Sequence, residues 1–210
     1  MKFFIILSTL FTCSHFAAAQ QKITEPSLAN RIDSLIGEGK KFRAITKELY
    51  FSGQSGTKEY AEAYKSMMKT DSVNYVEVKQ ILNQYGFPGY TMVGKNSSHN
   101  FWIMAQFYEK DLALQNIAVT LMKKEVDAQN AAEDDYAFIV DKYLDATGDQ
   151  QIYGTLIKLN DEHTSFEVKP VKDPEKLDEL RKHANLPPLS DTIKQANERF
   201  QKSIGASKSH

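Results

Sequence analysis

The sequence predicts a mainly α-helical fold, a single helical domain with one short β-hairpin near residues 151–169. Along most of the chain, apolar residues recur every three or four positions, which is the spacing of one face of a helix. This spacing gives way to short β-prone runs around residues 152–168. The 210 residues suffice for one hydrophobic core, and the single cysteine, Cys13, leaves burial rather than disulfides to stabilise the fold.

The first nineteen residues have the three parts of a cleavable export signal. Lys2 provides a basic start, an apolar stretch follows to about Phe11, and Ala17–Ala19 supply the small side chains of a cleavage site. The apolar stretch is about half of the ~20 residues needed to span a bilayer, so no stable membrane span is expected. The sequence therefore predicts a signal peptide over 1–19, a helical domain over 20–203 and a disordered tail over 204–210.

A lipid anchor is the alternative fate of this N-terminus. Leu10–Cys13 resembles a lipoprotein signal, in which Cys13 would be acylated and become the first residue of the mature chain. Thr12 stands where such signals normally carry a smaller residue, which favours the soluble exported form. Both forms place the protein outside the cytoplasm, in the periplasm or the extracellular space.

Charge excludes two classes of partner. The chain has 26 basic and 27 acidic residues, a near-neutral balance that offers no broad attraction for nucleic acid or for an anionic membrane. The expected partner is therefore a small ligand or another protein, and the sequence sets no oligomeric state.

The N-terminal half predicts a series of helices separated by polar or glycine-containing breaks. Ser27 caps the first, Gly37 and Gly39 interrupt it, and Thr57 and Asp71 each begin a further helix. A loop over residues 94–98 precedes a segment that is apolar on all sides, which is typical of a buried helix. The predicted helical segments are residues 28–36, 40–50, 57–69, 71–85 and 101–108.

The C-terminal half predicts helices on both sides of the hairpin. Asp111 caps an amphipathic helix, and a second amphipathic helix ends at Gly148. The hairpin strands fall within residues 152–159 and 164–168. Helix resumes at Asp173-Pro174, breaks at residues 186–189, and ends with a segment from Ser190 to about residue 202.

Several separated motifs occur in an order that resembles a bacterial family catalogued as domain of unknown function 6624. The resemblance covers about residues 71–193, more than half of the chain, and no activity is known for the family. Its motifs here are Gly86-Phe87-Pro88, Val93-Gly94, Trp102 with Ala105-Gln106, Asp111 with Gln115, Asp141-Lys142, Gln151-Ile152-Tyr153-Gly154-Thr155, Asp173–Arg181 and Leu186-Pro187.

The chain departs from the family pattern at three places. The family commonly has Gln-His-Ala-Asp where this chain has Gln106-Phe107-Tyr108-Glu109. It often has Gln in place of Leu156, and Arg in place of Lys142. If the family carries out chemistry through that histidine, Phe107 removes the chemistry from this protein.

The most conspicuous local motif is rejected as a nucleotide site. Residues 89–96 read GxxxxGK, but a phosphate-binding loop needs a hydroxyl after the lysine, and Asn96 stands there. It should also follow a strand, whereas a helix precedes it. The histidines lack ligand spacing and the chain has no GxSxG motif, so neither a metal site nor a serine nucleophile is expected. No cofactor is predicted.

Two groups of polar residues remain as candidates for a ligand-binding site. His99 and Gln106 lie seven residues apart, hence on one helix side, where His99 has the chemistry of a general base. The alternative is a solvent-facing or loop-capping role. Asp141, Gln151, Tyr153 and Thr155 form the second group, and here a polar cleft competes with a solvated carboxylate and a core aromatic.

Three functional hypotheses follow from these residues. The first is a non-enzymatic exported module that binds a ligand or partner, with the two polar groups around one concave pocket. The second is a cell-envelope hydrolase or transferase with His99 or Asp141 as the base. The third is a purely structural domain whose motifs hold its loops.

Overall fold

The computed structural model describes residues 23–108 and 110–207. The predicted signal peptide and Cys13 lie outside these residues. The helices are α1 (Pro26–Phe51), α2 (Lys58–Tyr85), α3 (Tyr90–Ala105), α4 (Leu112–Asp127), α5 (Glu133–Thr147), α6 (Leu177–His183) and α7 (Leu189–Ser207). The strands are β1 (Ile157–Leu159) and β2 (Phe166–Val168), and a 3-10 turn over Pro174–Lys176 leads into α6. The predicted mainly α fold with one hairpin is confirmed.

The core lies between the first five helices. Helix α1 packs against α2 and α3, α4 packs against α5, and α2 also contacts α3 and α4. Phe87, in the α2–α3 connection, meets Phe101 edge to face with ring centres 5.5 Å apart. Fully buried side chains come from all five helices, and include Ile32, Val78, Val93, Ala118 and Ile139.

Two predicted helix breaks are wrong, because long-range packing overrides the local signal. Helix α1 continues through Gly37 and Gly39, although each glycine costs about 1 kcal/mol in a helix interior. Gly39 faces α2, since a Cβ there would be in ordinary van der Waals contact with Asn74 Nδ2 at 3.5 Å. Helix α2 likewise continues through Asp71, which the sequence suggested as an N-cap.

The predicted loop over residues 94–98 is instead a kink inside α3. Gly94 adopts φ 81° and ψ 163°, and helical turns lie on both sides of it. Ser97 and Ser98 are buried in the second part of α3, where Ser97 Oγ donates to Asp33 Oδ2 of α1 at 3.0 Å. The GxxxxGK motif therefore spans the first turn and the kink of α3, and it does not follow a strand as a phosphate-binding loop does. Helix α3 also ends at Ala105, short of the predicted residue 108.

Several predicted helix ends are confirmed. The Thr57 side chain accepts from Tyr60 N at the start of α2, and Asp111 accepts from Leu114 N at the start of α4. Gly148 ends α5, and Pro174 opens the turn before α6. Helix α7 starts at Leu189 and continues to Ser207, past residue 203, where the sequence placed the end of the domain.

The hairpin is antiparallel, and its outer edge is covered by α7. Ile157 pairs with Val168 and Leu159 pairs with Phe166. The main-chain N–H of Phe166 donates to Asn197 Oδ1, and Asn197 Nδ2 donates to the Phe166 carbonyl. The Phe166 ring also packs edge to face on Phe200, so α7 holds the hairpin to the domain.

No helix within the described ranges is both long and apolar enough to cross a bilayer.

Candidate functional site

Asp141 lies wholly buried on α5 and binds the connection that follows the helix. Its Oδ1 accepts from the main-chain N–H of Ile152 at 2.8 Å and of Tyr153 at 3.0 Å. Its Oδ2 accepts from Thr155 N at 2.8 Å and from Thr155 Oγ1 at 2.9 Å. With both oxygens occupied by donors, Asp141 is neither a solvated carboxylate nor available as a general base.

Arg181 of α6 holds the same turn from the other side. Its Nη1 donates to the carbonyls of Tyr153 at 2.8 Å and Gly154 at 3.0 Å, and the side chain is 2% exposed. Nε and Nη2 donate to the Pro187 carbonyl and to Thr192 Oγ1. Burial lowers the pKa of Arg181, while the charge of Asp141 acts in the opposite direction. We call Asp141, residues 152–155 and Arg181 the turn clamp.

Gln151, which precedes the turn clamp, and Gly154 within it also fix the shape of this turn. Gln151 is buried, and its side chain accepts from Leu156 N at 2.6 Å and donates to the carbonyls of Leu156 and Lys169. Gly154 has φ +61°, and a Cβ there would lie 3.3 Å from Val168 Cγ2. The second group of predicted site residues therefore does come together, but around its own backbone rather than around a cavity.

The Tyr153 ring lies apart from these hydrogen bonds. It lines a shallow cavity of about 190 Å³ with Tyr136, Leu180 and His183. Burial raises the pKa of Tyr153, and it raises the pKa of Tyr136 to about 12. Both phenols therefore keep their protons at neutral pH.

His99 joins α3 to α5 through Asp135. His99 Nδ1 lies 2.7 Å from Asp135 Oδ2, and the imidazole stacks on Trp102 with ring centres 5.1 Å apart. The His99 side chain is 52% exposed, whereas that of Asp135 is 9% exposed. Burial raises the pKa of Asp135, and the hydrogen bond from His99 partly offsets this rise.

Gln106 contributes its main chain to the structure. Its carbonyl accepts from Lys142 Nζ of α5 at 3.0 Å, which ties the end of α3 to α5 at the second residue of the Asp141-Lys142 motif. The following residue, Phe107, is 45% exposed.

The expectation that both polar groups rim one pocket does not match this geometry. Asp135 and Asp141 are six residues apart on α5, hence about 9 Å along its axis and about 120° around it. His99 accordingly belongs to a different surface from the turn clamp. Sequence spacing could not show this, because the partners of Asp141 are backbone N–H groups.

A cleft of about 850 Å³ opens where α1 and α2 meet the α3–α4 connection. We call it the aromatic cleft. Volumes of about 300–1,000 Å³ are usual for small-molecule sites. It is lined chiefly by Arg43, Met68, Tyr75, Phe107, Asp111 and Leu112.

Three aromatic rings define the shape of the aromatic cleft. Tyr75 and Tyr108 meet edge to face at 5.1 Å, and the Arg43 guanidinium lies 4.4 Å from the centre of the Phe107 ring. Tyr108 Oη donates to the Asp71 carbonyl at 3.1 Å. Burial raises the pKa of Tyr108 well above its usual value, so this phenol stays neutral and serves as a fixed donor.

The carboxylates of the aromatic cleft are already hydrogen-bonded. Arg43 Nη2 donates to Asp71 Oδ1 at 2.7 Å. Asp111 Oδ2 accepts from Tyr75 Oη at 2.6 Å and lies 3.6 Å from Lys79 Nζ. The Tyr75 hydrogen bond is the largest cause of the lowered pKa of Asp111, with smaller contributions from Leu114 N and Lys79. Asp111 is therefore ionised and weakly basic.

The sequence does not predict the aromatic cleft as a site. Its patterns indicate a helix cap at Asp111 and a departure from the family pattern at Phe107, and neither pattern involves Arg43 or Tyr75. The one usable signal is the position of Phe107, which replaces the polar residue of the family pattern with an apolar one beside the end of a helix.

The described residues contain no group of three or more His, Cys, Asp or Glu that could hold a metal ion.

The fold and the aromatic cleft together define a mainly α-helical, single-domain protein with an open cavity large enough for a small ligand. The chain belongs to the family of unknown function (DUF6624), whose model matches residues 33–204. No curated protein and no solved structure matches the chain.

Proposed function

We propose that this protein is an exported, non-enzymatic module of the cell envelope that binds a ligand in the aromatic cleft. Export is supported by the signal-like first nineteen residues, and binding by the composition of the cleft. Its aromatic and aliphatic side chains offer an apolar surface to a ligand, while Arg43 and Tyr108 supply fixed polar groups beside it. Apolar walls with a few placed polar groups are the usual features of a ligand site.

One observation carries this proposal: three large apolar side chains on the cleft wall are exposed. Met68, Phe107 and Leu112 are 47%, 45% and 41% exposed, and they come from α2, the α3–α4 connection and the start of α4. Contiguous exposed apolar surface commonly marks a binding site. Complete burial of a fully exposed Phe or Leu side chain contributes about 1.5–3 kcal/mol, and these partly exposed side chains offer a ligand a fraction of that.

The state of the polar groups in the aromatic cleft supports binding over catalysis. Asp111, with its lowered pKa, is a poor proton acceptor at neutral pH, and Tyr108, with its raised pKa, is a poor nucleophile. Asp71 is engaged by Arg43. These groups are suited to orienting a ligand.

A neutral apolar dye tests the proposal. N-phenylnaphthylamine fluoresces when it enters an apolar site, and we expect saturable binding by the purified protein. Phe107→Ala should weaken this binding roughly tenfold, because it removes the central wall of the cleft. Val76→Ala, at an exposed apolar residue of α2 outside the cleft lining, is the matched control and should bind as the unaltered chain does.

Two results would count against a binding function. If the dye does not bind, or if Phe107→Ala and Val76→Ala bind it equally well, the cleft is a surface depression without that role. The protein is then the purely structural domain of the third hypothesis.

The hydrogen-bonded His99–Asp135 pair favours a second candidate function, a hydrolase or transferase with His99 as general base. A carboxylate on Nδ1 orients an imidazole so that Nε2 faces a substrate. Turnover of nitrophenyl acetate that disappears in His99→Ala, but not in the exposed control His163→Ala, would favour this enzyme. Equal turnover in both variants would remove it.

A further inference from the structure

The charged groups around the aromatic cleft are unequally engaged. Both carboxylates among the described lining residues are bonded within the protein, Asp71 to Arg43 and Asp111 to Tyr75, Leu114 N and Lys79. The cation Arg43, by contrast, has unused hydrogen-bond donors. Arg43 carries five N–H donors, and one of them is used within the described part of the chain, on Asp71.

Arg43 is positioned to present its remaining donors to a ligand. Its guanidinium lies over the Phe107 ring, which leaves the edge of the group open, and its side chain is 34% exposed. A guanidinium edge matches the two oxygens of a carboxylate. The pair with Asp71 holds the group in place, so little side-chain freedom is lost on binding.

Two lysines lie near these groups. Lys110 lines the cleft and is exposed, and Lys79 lies beside Asp111. Among the described residues that line the cleft, the cations Arg43 and Lys110 accompany the carboxylates of Asp71 and Asp111. Because both of these carboxylates already accept hydrogen bonds within the protein, an anion entering the cleft would meet the unused donors of Arg43 and the charge of Lys110.

The apolar wall lies within reach of this cationic group, since the Phe107 ring is in contact with the Arg43 guanidinium. A ligand that uses both features needs an anionic head and an apolar body. We propose that the aromatic cleft binds an organic carboxylate with an aromatic or aliphatic body, the carboxylate on Arg43 and the body against Phe107, Met68 and Leu112. This inference rests on the proposed binding function and adds the charge and class of the ligand.

Three probes with the same body and different heads test the inference. Phenylbutyrate, phenylbutanol and phenylbutylamine carry an anionic, a neutral and a cationic head, and their affinities for the purified full chain can be measured by calorimetry. We expect phenylbutyrate to bind at least roughly tenfold more tightly than the other two, the effect of about one charge-assisted hydrogen bond.

Two variants locate the preference. Arg43→Gln should weaken phenylbutyrate binding at least roughly tenfold more than phenylbutanol binding, and Arg43→Lys should retain part of the preference for phenylbutyrate, because the charge stays and the planar group is lost. Arg31→Gln is the control, since Arg31 lies on α1 as Arg43 does and pairs with Glu77 of α2, but does not line the cleft. Unfolding curves of all variants show whether each is folded.

The outcomes separate the two proposals. Equal binding of phenylbutyrate and phenylbutanol, or a preference that survives Arg43→Gln, would overturn the inference and leave the binding function standing. Failure of all three probes together with the neutral dye would overturn both. If Arg31→Gln loses the preference for phenylbutyrate as fully as Arg43→Gln does, the preference comes from the overall charge of the protein rather than from the cleft. That result would also overturn the inference.

Discussion

The turn clamp and the aromatic cleft use similar residue types in opposite ways. In the turn clamp, Asp141 and Arg181 are buried, and most of their hydrogen bonds go to main-chain groups, chiefly those of residues 152–155. In the aromatic cleft, Arg43 and Asp111 are partly exposed and contact side chains around an open volume. Asp141 and Arg181 therefore have a structural role, whereas Arg43, which has hydrogen-bond donors left unused in the described part of the chain, is a candidate for binding a ligand.

The largest expected effect comes from breaking the turn clamp at its carboxylate. Asp141→Asn replaces one acceptor oxygen with a donor and leaves Arg181 buried without a compensating charge. We expect a loss of about 3–5 kcal/mol in the free energy of unfolding, measured in urea. Asp145→Asn, one turn further along α5 in an exposed pair with Lys169, should cost less than about 1 kcal/mol. Equal losses in the two variants would contradict a special role for Asp141.

A smaller loss is expected at the backbone of the same turn. Gly154→Ala places a Cβ at a positive φ and 3.3 Å from Val168 Cγ2, so we expect destabilisation of about 1–3 kcal/mol. Gly37→Ala is the opposite case, because the added Cβ meets nothing within 4 Å in a helix interior. It should stabilise the chain by roughly 0.5–1 kcal/mol. A lower urea midpoint in Gly154→Ala and a higher one in Gly37→Ala would confirm this difference between the two glycines. A higher midpoint in Gly154→Ala would contradict it.

Alkaline pH should lower the stability of the folded state through Tyr136, which lies beside the turn clamp. Burial raises the pKa of Tyr136 to about 12, above its ordinary value of about 10. Since the unfolded phenol loses its proton first, the folded state loses stability as pH rises from about 10 to about 12. The loss between ~pH 8 and ~pH 11 should be smaller in Tyr136→Phe. An unchanged pH dependence in that variant would assign the alkaline loss to other groups.

The smallest effect on stability is expected in the aromatic cleft. Phe107→Ala removes a half-exposed ring and should change the free energy of unfolding by less than about 1 kcal/mol. Phe101→Ala removes a fully buried ring and should cost about 3–5 kcal/mol. A comparable loss in the two variants would make Phe107 a packing residue and remove the distinction drawn above.

The fold class is predictable from the sequence because the signals that determine it act between residues close together in the chain. Apolar spacing, the caps at Thr57 and Asp111, and the stop at Gly148 each act within one or two helical turns. The breaks at Gly37 and at Asp71 failed because contacts between α1 and α2 decide them, and those contacts join residues far apart in the chain.

The candidate site was less predictable for a related reason. The Asp141 motif has backbone N–H partners, which almost every residue carries, so its sequence cannot separate a structural turn from a ligand site. The aromatic cleft joins Arg43 to Phe107 across two helices. Neither residue belongs to a motif with a known chemistry, and their proximity follows only from the packing of α1 against α3.

Asn197 has a consequence for the behaviour of this chain at high concentration. Its carboxamide occupies the outward N–H and C=O of Phe166 in the way that a neighbouring peptide group would. A strand from a second molecule therefore finds this position of the hairpin already taken, and intermolecular sheet extension, the first step toward fibrils, is blocked there. The Asn197 side chain thus disfavours self-association through this edge of the hairpin.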